Sequence, residues 1–271
     1  MALFNSFSFD GIDSLDNGVY ITGEAVFNAP ERAMEMVAIP GRNGALALDY
    51  GRYENILVTY PAGMFADNQE EFAEKMRSFR NKLVSRHTYK KIIDTYHPDE
   101  YRLGLYKNGL EVDSVKYNSA GEFAIVFECK PQRFLVSGDE PLEITYEPDY
   151  LTDHNLEPIT THSGDKIETG YLDGTIESPS EFSSNPLIIV PGPGEINLNG
   201  QIIGIGGDGS KPIYIDTETG AIYTEDASGK KTNASGLVTF EGHNLPIIEP
   251  GETTIETDIE GVEIIPRWWI L

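Results

Sequence analysis

Five histidines (His87, His97, His154, His162 and His243) and one cysteine, Cys129, are the side chains best suited to metal binding or nucleophilic chemistry in this sequence. They do not converge on one motif. His154 and His162, with Asp149, Asp153 and Asp165 nearby, offer ligands for a metal, but their spacing fits neither a helix nor a strand. A solvated loop is the better reading. Asp94, His97, Asp99 and Glu100 form the tightest acid/base group in the chain. No nucleophile accompanies them, so they read as a turn anchored by Pro98 that ties strands or subunits together. Cys129 closes the alternating run Phe123, Ile125, Phe127, Cys129, which gives it the part of a small buried hydrophobe. A single cysteine can form neither an intramolecular disulfide nor, alone, a cysteine metal site.

The other motifs lead the same way. Gly204-Ile205-Gly206-Gly207-Asp208-Gly209 resembles a dinucleotide fingerprint loosely, yet no helical pattern follows it to offer an N-terminus to a phosphate. There is no GxSxG elbow, HExxH pair, phosphate-loop lysine or EF-hand spacing. Paired carboxylates would suit a glycosidase, but with 44 acidic residues some pair always looks suitable. Trp268-Trp269, on a strand, would point one ring inward and one outward, which fits core plus contact surface better than a sugar-stacking platform. The expectation is a protein with no enzymatic activity, no cofactor and no metal.

Charge narrows the partners. The chain of 271 residues carries a net charge of -24, a field that repels nucleic acid. No apolar run approaches the roughly 18 residues that span a bilayer, and residues 1–10 lack the basic and apolar regions of a signal peptide. This predicts synthesis in a soluble form in a cytoplasm. The charge is uneven: residues 1–133 carry 15 basic and 19 acidic side chains, residues 134–271 carry 5 and 25. That shift, together with a length sufficient for two cores, predicts two domains, 1–137 and 138–271.

One segment alone is strongly patterned as a helix. Phe72, Met76, Phe79 and Leu83 recur on one face after Asp67, which can cap the N-terminus with Glu70 as its capping-box partner. Acidic residues come early and basic ones late, the order favoured by the helix dipole. Around it lie strand patterns and the dipeptides Asn43-Gly44, Asn108-Gly109 and Asn199-Gly200, each a tight-hairpin signal. Glu35–Pro40, Ala45–Leu48, Ile56–Tyr60, Tyr89–Tyr96, Tyr101–Tyr106, Glu111–Tyr117 and Glu122–Lys130 read as strands, with His97–Glu100 as a break. The first domain is thus expected to be α+β, an antiparallel sheet covered by one helix. After a polar stretch containing the short candidate Leu142–Tyr146, many short strands from Asn185 onward, with no helix, predict an all-β sandwich.

Several of these segments resemble a known family. Pro40-Gly41-Arg42-Asn43-Gly44, Asp49 to Asn55, Met76 to Leu83, Asp94 to Arg102 and Cys129 to Phe134 are similar to the N-terminal part of siphophage distal tail proteins, components of phage and prophage tails. Ser184 to Ile188 and Pro266-Arg267-Trp268-Trp269 extend the likeness. The resemblance implies a structural protein of the virion tail tip, a baseplate hub whose N-terminal domains close a ring of six. One ring face would meet the tail-tube protein and the other the tail-associated lysin or tip protein. The C-terminal sandwich would be galectin-like and project outward, in some members carrying receptor-binding proteins. A cyclic ring needs two different complementary patches on each subunit. Arg42, Arg52, Arg80, Arg102 and Arg133 are candidates for those contacts, since a guanidinium suits bidentate ion pairs. The competing reading is a carbohydrate-binding module whose acidic sandwich contacts host cell-wall sugars.

Overall fold

Alternation dictates the centre of the first unit. Phe123, Ile125, Phe127 and Cys129 all turn to one side of a long strand and are buried. In the computed structural model, which describes residues 4–22, 28–115, 119–144, 147–150, 157–158, 160–163, 165–166, 168–242 and 244–271, the chain is mostly β with one α-helix among those residues. It divides into two compact units, residues 1–134 with Leu271, and residues 135–270.

The first unit contains β1 (Phe7–Phe9), β2 (Ile12–Asp13), β3 (Val19–Ile21), β4 (Arg32–Ala38), β5 (Ala45–Tyr53), β6 (Ile56–Phe65), α1 (Gln69–Val84), β7 (Lys90–Asp94), β8 (His97–Tyr106), β9 (Val112–Val115) and β10 (Ala120–Leu135). The main sheet runs β2-β1-β7-β8-β10-β6-β3, with β9 also on β10. Its inward residues, Phe7, Phe9, Tyr60, Met64, Ile92 and Phe127 among them, form one core with Phe72, Phe79 and Leu83 of α1. Burying each such side chain contributes about 1.5–3 kcal/mol, which holds a helix of modest intrinsic stability to the sheet. β4 and β5 stand apart as a two-stranded ribbon.

The helix begins one residue later than its sequence suggests. Asn68, not Asp67, is the N-cap: its side chain accepts from the Glu71 N–H at 2.9 Å. Glu71 in turn accepts from the Asp67 N–H at 3.0 Å. The reciprocal pairing exists, shifted by one position and reaching one residue further back than a capping box.

Two of the three expected tight hairpins are different in kind. Asn43-Gly44 lies in a six-residue loop between β4 and β5, where Gly41 and Gly44 take the left-handed conformation and Asn43 does not. Asn108-Gly109 precedes β9, which pairs antiparallel with β10. Only Asn199-Gly200 forms the two-residue turn, with φ of 49° and 85° and Leu198 opposite Gln201. His97–Glu100 opens β8 instead of breaking a strand, because Asp94 Oδ1 accepts from the N–H groups of Tyr96 and His97, both at 3.0 Å, and makes the turn itself.

The second unit contains β11 (Glu147–Tyr150), β12 (Glu168–Ser178), β13 (Leu187–Val190), β14 (Gly194–Leu198), β15 (Gln201–Ile205), β16 (Ile213–Asp216), β17 (Ala221–Glu225), β18 (Lys231–Asn233), β19 (Val238–Phe240), β20 (Gly251–Thr257), β21 (Glu263–Ile265) and β22 (Trp269–Ile270). Two antiparallel sheets, β11-β12-β20-β14-β15-β19 and β18-β17-β16-β13-β21, contribute to one aliphatic core that includes Ile188, Ile196, Leu198, Ile215, Ile255, Ile264 and Trp268. Leu142–Ile144 is not a strand, and residues 145–146 lie outside the described residues.

Candidate assembly interface

The acid/base group of the first unit is a structural tie. His97 Nδ1 lies 3.1 Å from Asp94 Oδ1, and the Tyr60 hydroxyl donates to Asp94 Oδ2 at 2.9 Å. Burial, then the Asp94 carboxylate, push the Tyr60 hydroxyl far above its ordinary value, so it stays a donor. Burial pushes the Cys129 thiol up to about 12, although Arg102 and Arg133 pull the other way. That is a group for packing, not for attack. Glu100 accepts from Arg133, and Asp99 is exposed.

Elsewhere the candidate chemistry is dispersed. The glycine cluster joins β15 to β16 with no helix behind it. His154, His243 and Asp153 lie outside the described residues, and His162 sits in an exposed turn. Among the described residues no three metal-ligating side chains come together, and no helix is long and apolar enough to cross a membrane. Trp268 is buried, whereas Trp269 stacks on Phe182 (centroids 4.4 Å apart) and donates to the Ser183 carbonyl at 2.9 Å.

The five arginines separate into two sets. Arg102 and Arg133 are buried. Arg133 donates to Glu100 Oε2 at 2.9 Å, and Arg102 donates to the carbonyls of Asn28 (3.2 Å) and Pro131 (3.4 Å). Burial and the neighbouring Arg133 lower the Arg102 guanidinium from its usual range. Arg42, Arg52 and Arg80 are exposed, and Arg52 pairs with Glu54 at 3.0 Å. Arg42 occupies the loop at the tip of the ribbon.

That ribbon is the surface feature the sequence reading missed. Cross-strand partners place Met34, Met36, Ala38, Ala45 and Ala47 on one face, and Val37, Leu46 and Leu48 on the other, with Tyr50 donating to Glu35 there. Met36 is 63% exposed, Tyr50 58% and Leu46 48%. An isolated two-stranded ribbon is marginal in water, and one that is apolar on both faces needs cover on both. The run Ala45-Leu46-Ala47-Leu48 carried the signal: uninterrupted apolar residues mark a strand covered on two sides. Here nothing in its own chain covers it among the described residues.

Residues 17–129, which include this ribbon, match the family described as the phage tail protein RIFT-related domain. That match spans 113 of the chain's 271 residues. No curated protein matches the sequence. Its fold is similar to that in the crystal structure of SPP1 Dit (gp 19.1), described as a paradigm of the hub adsorption apparatus of phages infecting Gram-positive hosts. The TM-score there is 0.65 at 12% identity, over 98% of this chain and 99% of that one. It is also similar to chains of the phage p2 baseplate in its activated conformation. With strontium the TM-score is 0.56 at 11% identity, covering 96% of both chains. With calcium it is 0.52 at 12%, covering 97% of both. At these identities the likeness is one of fold alone, and it runs beyond residue 129.

Proposed function

We propose that this chain is a phage tail protein, a non-enzymatic hub of the tail tip, in which six copies close a ring through the domain of residues 1–137. The observation that carries this reading is the β4–β5 ribbon, whose two apolar faces are stable only when another surface covers them. A protruding element received by a different surface on the next copy is the heterologous contact that ring closure demands. Arg42 and Arg52, exposed on the ribbon, would contact the next copy directly, with Arg80 on α1 as a further contact. Arg102 and Arg133 would shape the surface from within.

On this reading the tail-tube protein and the lysin or tip protein occupy the two ring faces, and the protein, made in the host cytoplasm, resides in the virion. Residues 138–271, with two sheets over one aliphatic core, would be the galectin-like outboard domain, offering an acidic surface to a receptor-binding protein. Mass measurement of the full chain by light scattering, alone and with its cognate tip protein, tests the ring. A species of six copies is expected, and Leu46→Glu should abolish it. A monomer in both preparations removes the proposal.

A further inference from the structure

Any ring contact made by the ribbon needs a receiving surface, and the first unit carries one that its own core does not use. On the outer face of β10-β6-β3, register places Glu122 opposite Gly63 and Gly63 opposite Tyr20. A side chain at position 63 would collide with the Tyr20 ring, so glycine lets that ring lie flat across the sheet. Tyr20 there stacks on Phe65 (centroids 5.3 Å, planes 12° apart) and meets Phe4 at 5.6 Å. Phe4 and Phe65 are 54% and 62% exposed. Beside this strip a groove lined by Tyr20, Pro61, Gly63, Glu111 and Glu122 presents two carboxylates that have no ion pair among the described residues.

We infer that the Phe4–Tyr20–Phe65 strip receives the methionine face of the ribbon from a second copy of this chain. Four features select that occupant and that face. The floor formed by Ala38, Ala45 and Ala47, with Met34 and Met36 rising beside it, is a shallow trough that fits protruding rings, and thioether–aromatic contacts are favourable. The one carboxylate on the face, Asp49, is already neutralised by Arg32 at 2.6 Å. Arg42, at the ribbon tip, has no ion pair among the described residues and complements Glu111 and Glu122. The opposite ribbon face, with its Tyr50–Glu35 bond, would bring a carboxylate toward two others.

This inference rests on the ring reading and adds the identity of the receiving surface. A photoreactive phenylalanine analogue placed at Met36 in the full chain, followed by peptide mapping, tests it, with sedimentation of the same sample as a second readout. Cross-links between copies onto Phe4, Tyr20 or residues 61–65 are expected. Arg42→Glu should lower their yield about tenfold, as loss of about 1.4 kcal/mol would, and Glu122→Lys in the same chain should restore it. Oligomers whose cross-links map elsewhere overturn this surface and leave the ring standing. A monomer without cross-links between copies overturns both.

Discussion

Tyr60 on β6 donates to Asp94 at the end of β7, 2.9 Å away, although β8 and β10 separate these strands in the sheet. The bond therefore crosses the interior of a curled sheet, and Phe7 of β1 stacks on the same ring at 5.2 Å. Curling is what lets strands near opposite ends of the sheet share a core. Tyr60→Phe keeps the ring and removes a hydrogen bond to a charged acceptor, a loss of about 1.5–3 kcal/mol. A lower denaturant midpoint with an unchanged slope is expected. A midpoint equal to that of the wild type would show that the bond adds nothing to closure.

Arg133 and Glu100 should behave as a buried pair. Their side chains are 9% and 22% exposed, with Nη1 and Oε2 at 2.9 Å. Arg133→Met leaves Glu100 without this partner, at a cost of about 3–5 kcal/mol, whereas the double change Arg133→Met with Glu100→Met should regain most of it. Chemical denaturation of the four proteins in the cycle measures the coupling. Strictly additive losses would mean that the two side chains act independently.

How much of this was legible in the sequence differs from segment to segment. The α1 face and the inward row Phe123 to Cys129 follow from periodicity alone, because one strong face meets one core. The hairpin at Asn199-Gly200 follows from dihedral preference. Asn108-Gly109 misled because the local turn signal says nothing of which strand is the partner: β9 bonds to β10, a choice made by the whole sheet. The arginines were visible as residue types, but burial separates Arg102 and Arg133 from Arg42, Arg52 and Arg80, and burial is a tertiary property. The ribbon read as two ordinary strands, since a sequence pattern does not record whether the second covering surface belongs to the same chain.

Gly138 is a position where one methyl group decides the local fold of the second unit. A Cβ there would stand 2.5 Å from the Trp268 backbone nitrogen and 3.2 Å from the Arg267 carbonyl carbon. The Gly138 carbonyl accepts from the Arg267 N–H at 2.8 Å, and the Leu135 N–H donates to the Trp268 carbonyl at 2.9 Å, so the two segments cannot separate without losing these bonds. Overpacking against backbone costs about 1–3 kcal/mol. Gly138→Ala should lower the melting temperature and raise the fluorescence response of Trp268 to quencher. Unchanged melting and quenching would show that the backbone yields freely.

The second unit should also carry its own acid sensitivity at Asp216. Burial alone would raise this carboxyl, but the Arg267 guanidinium at 2.6 Å, with hydrogen bonds from Thr219, holds it below the usual carboxylate range. A carboxyl depressed on folding stabilises the native state while ionised, at pH values above its unfolded pKa of about 3.9. That contribution declines as pH falls below this value and through the lower folded one. Asp216→Asn has no such proton to take up, so the stability gap between wild type and variant should be constant near neutrality and narrow below about pH 4. Urea midpoints of both proteins at a series of pH values supply the comparison. Arg267→Met should remove the same pH dependence, because it is the guanidinium that outweighs burial; a gap independent of pH down to acid unfolding would assign the pair no role in acid stability.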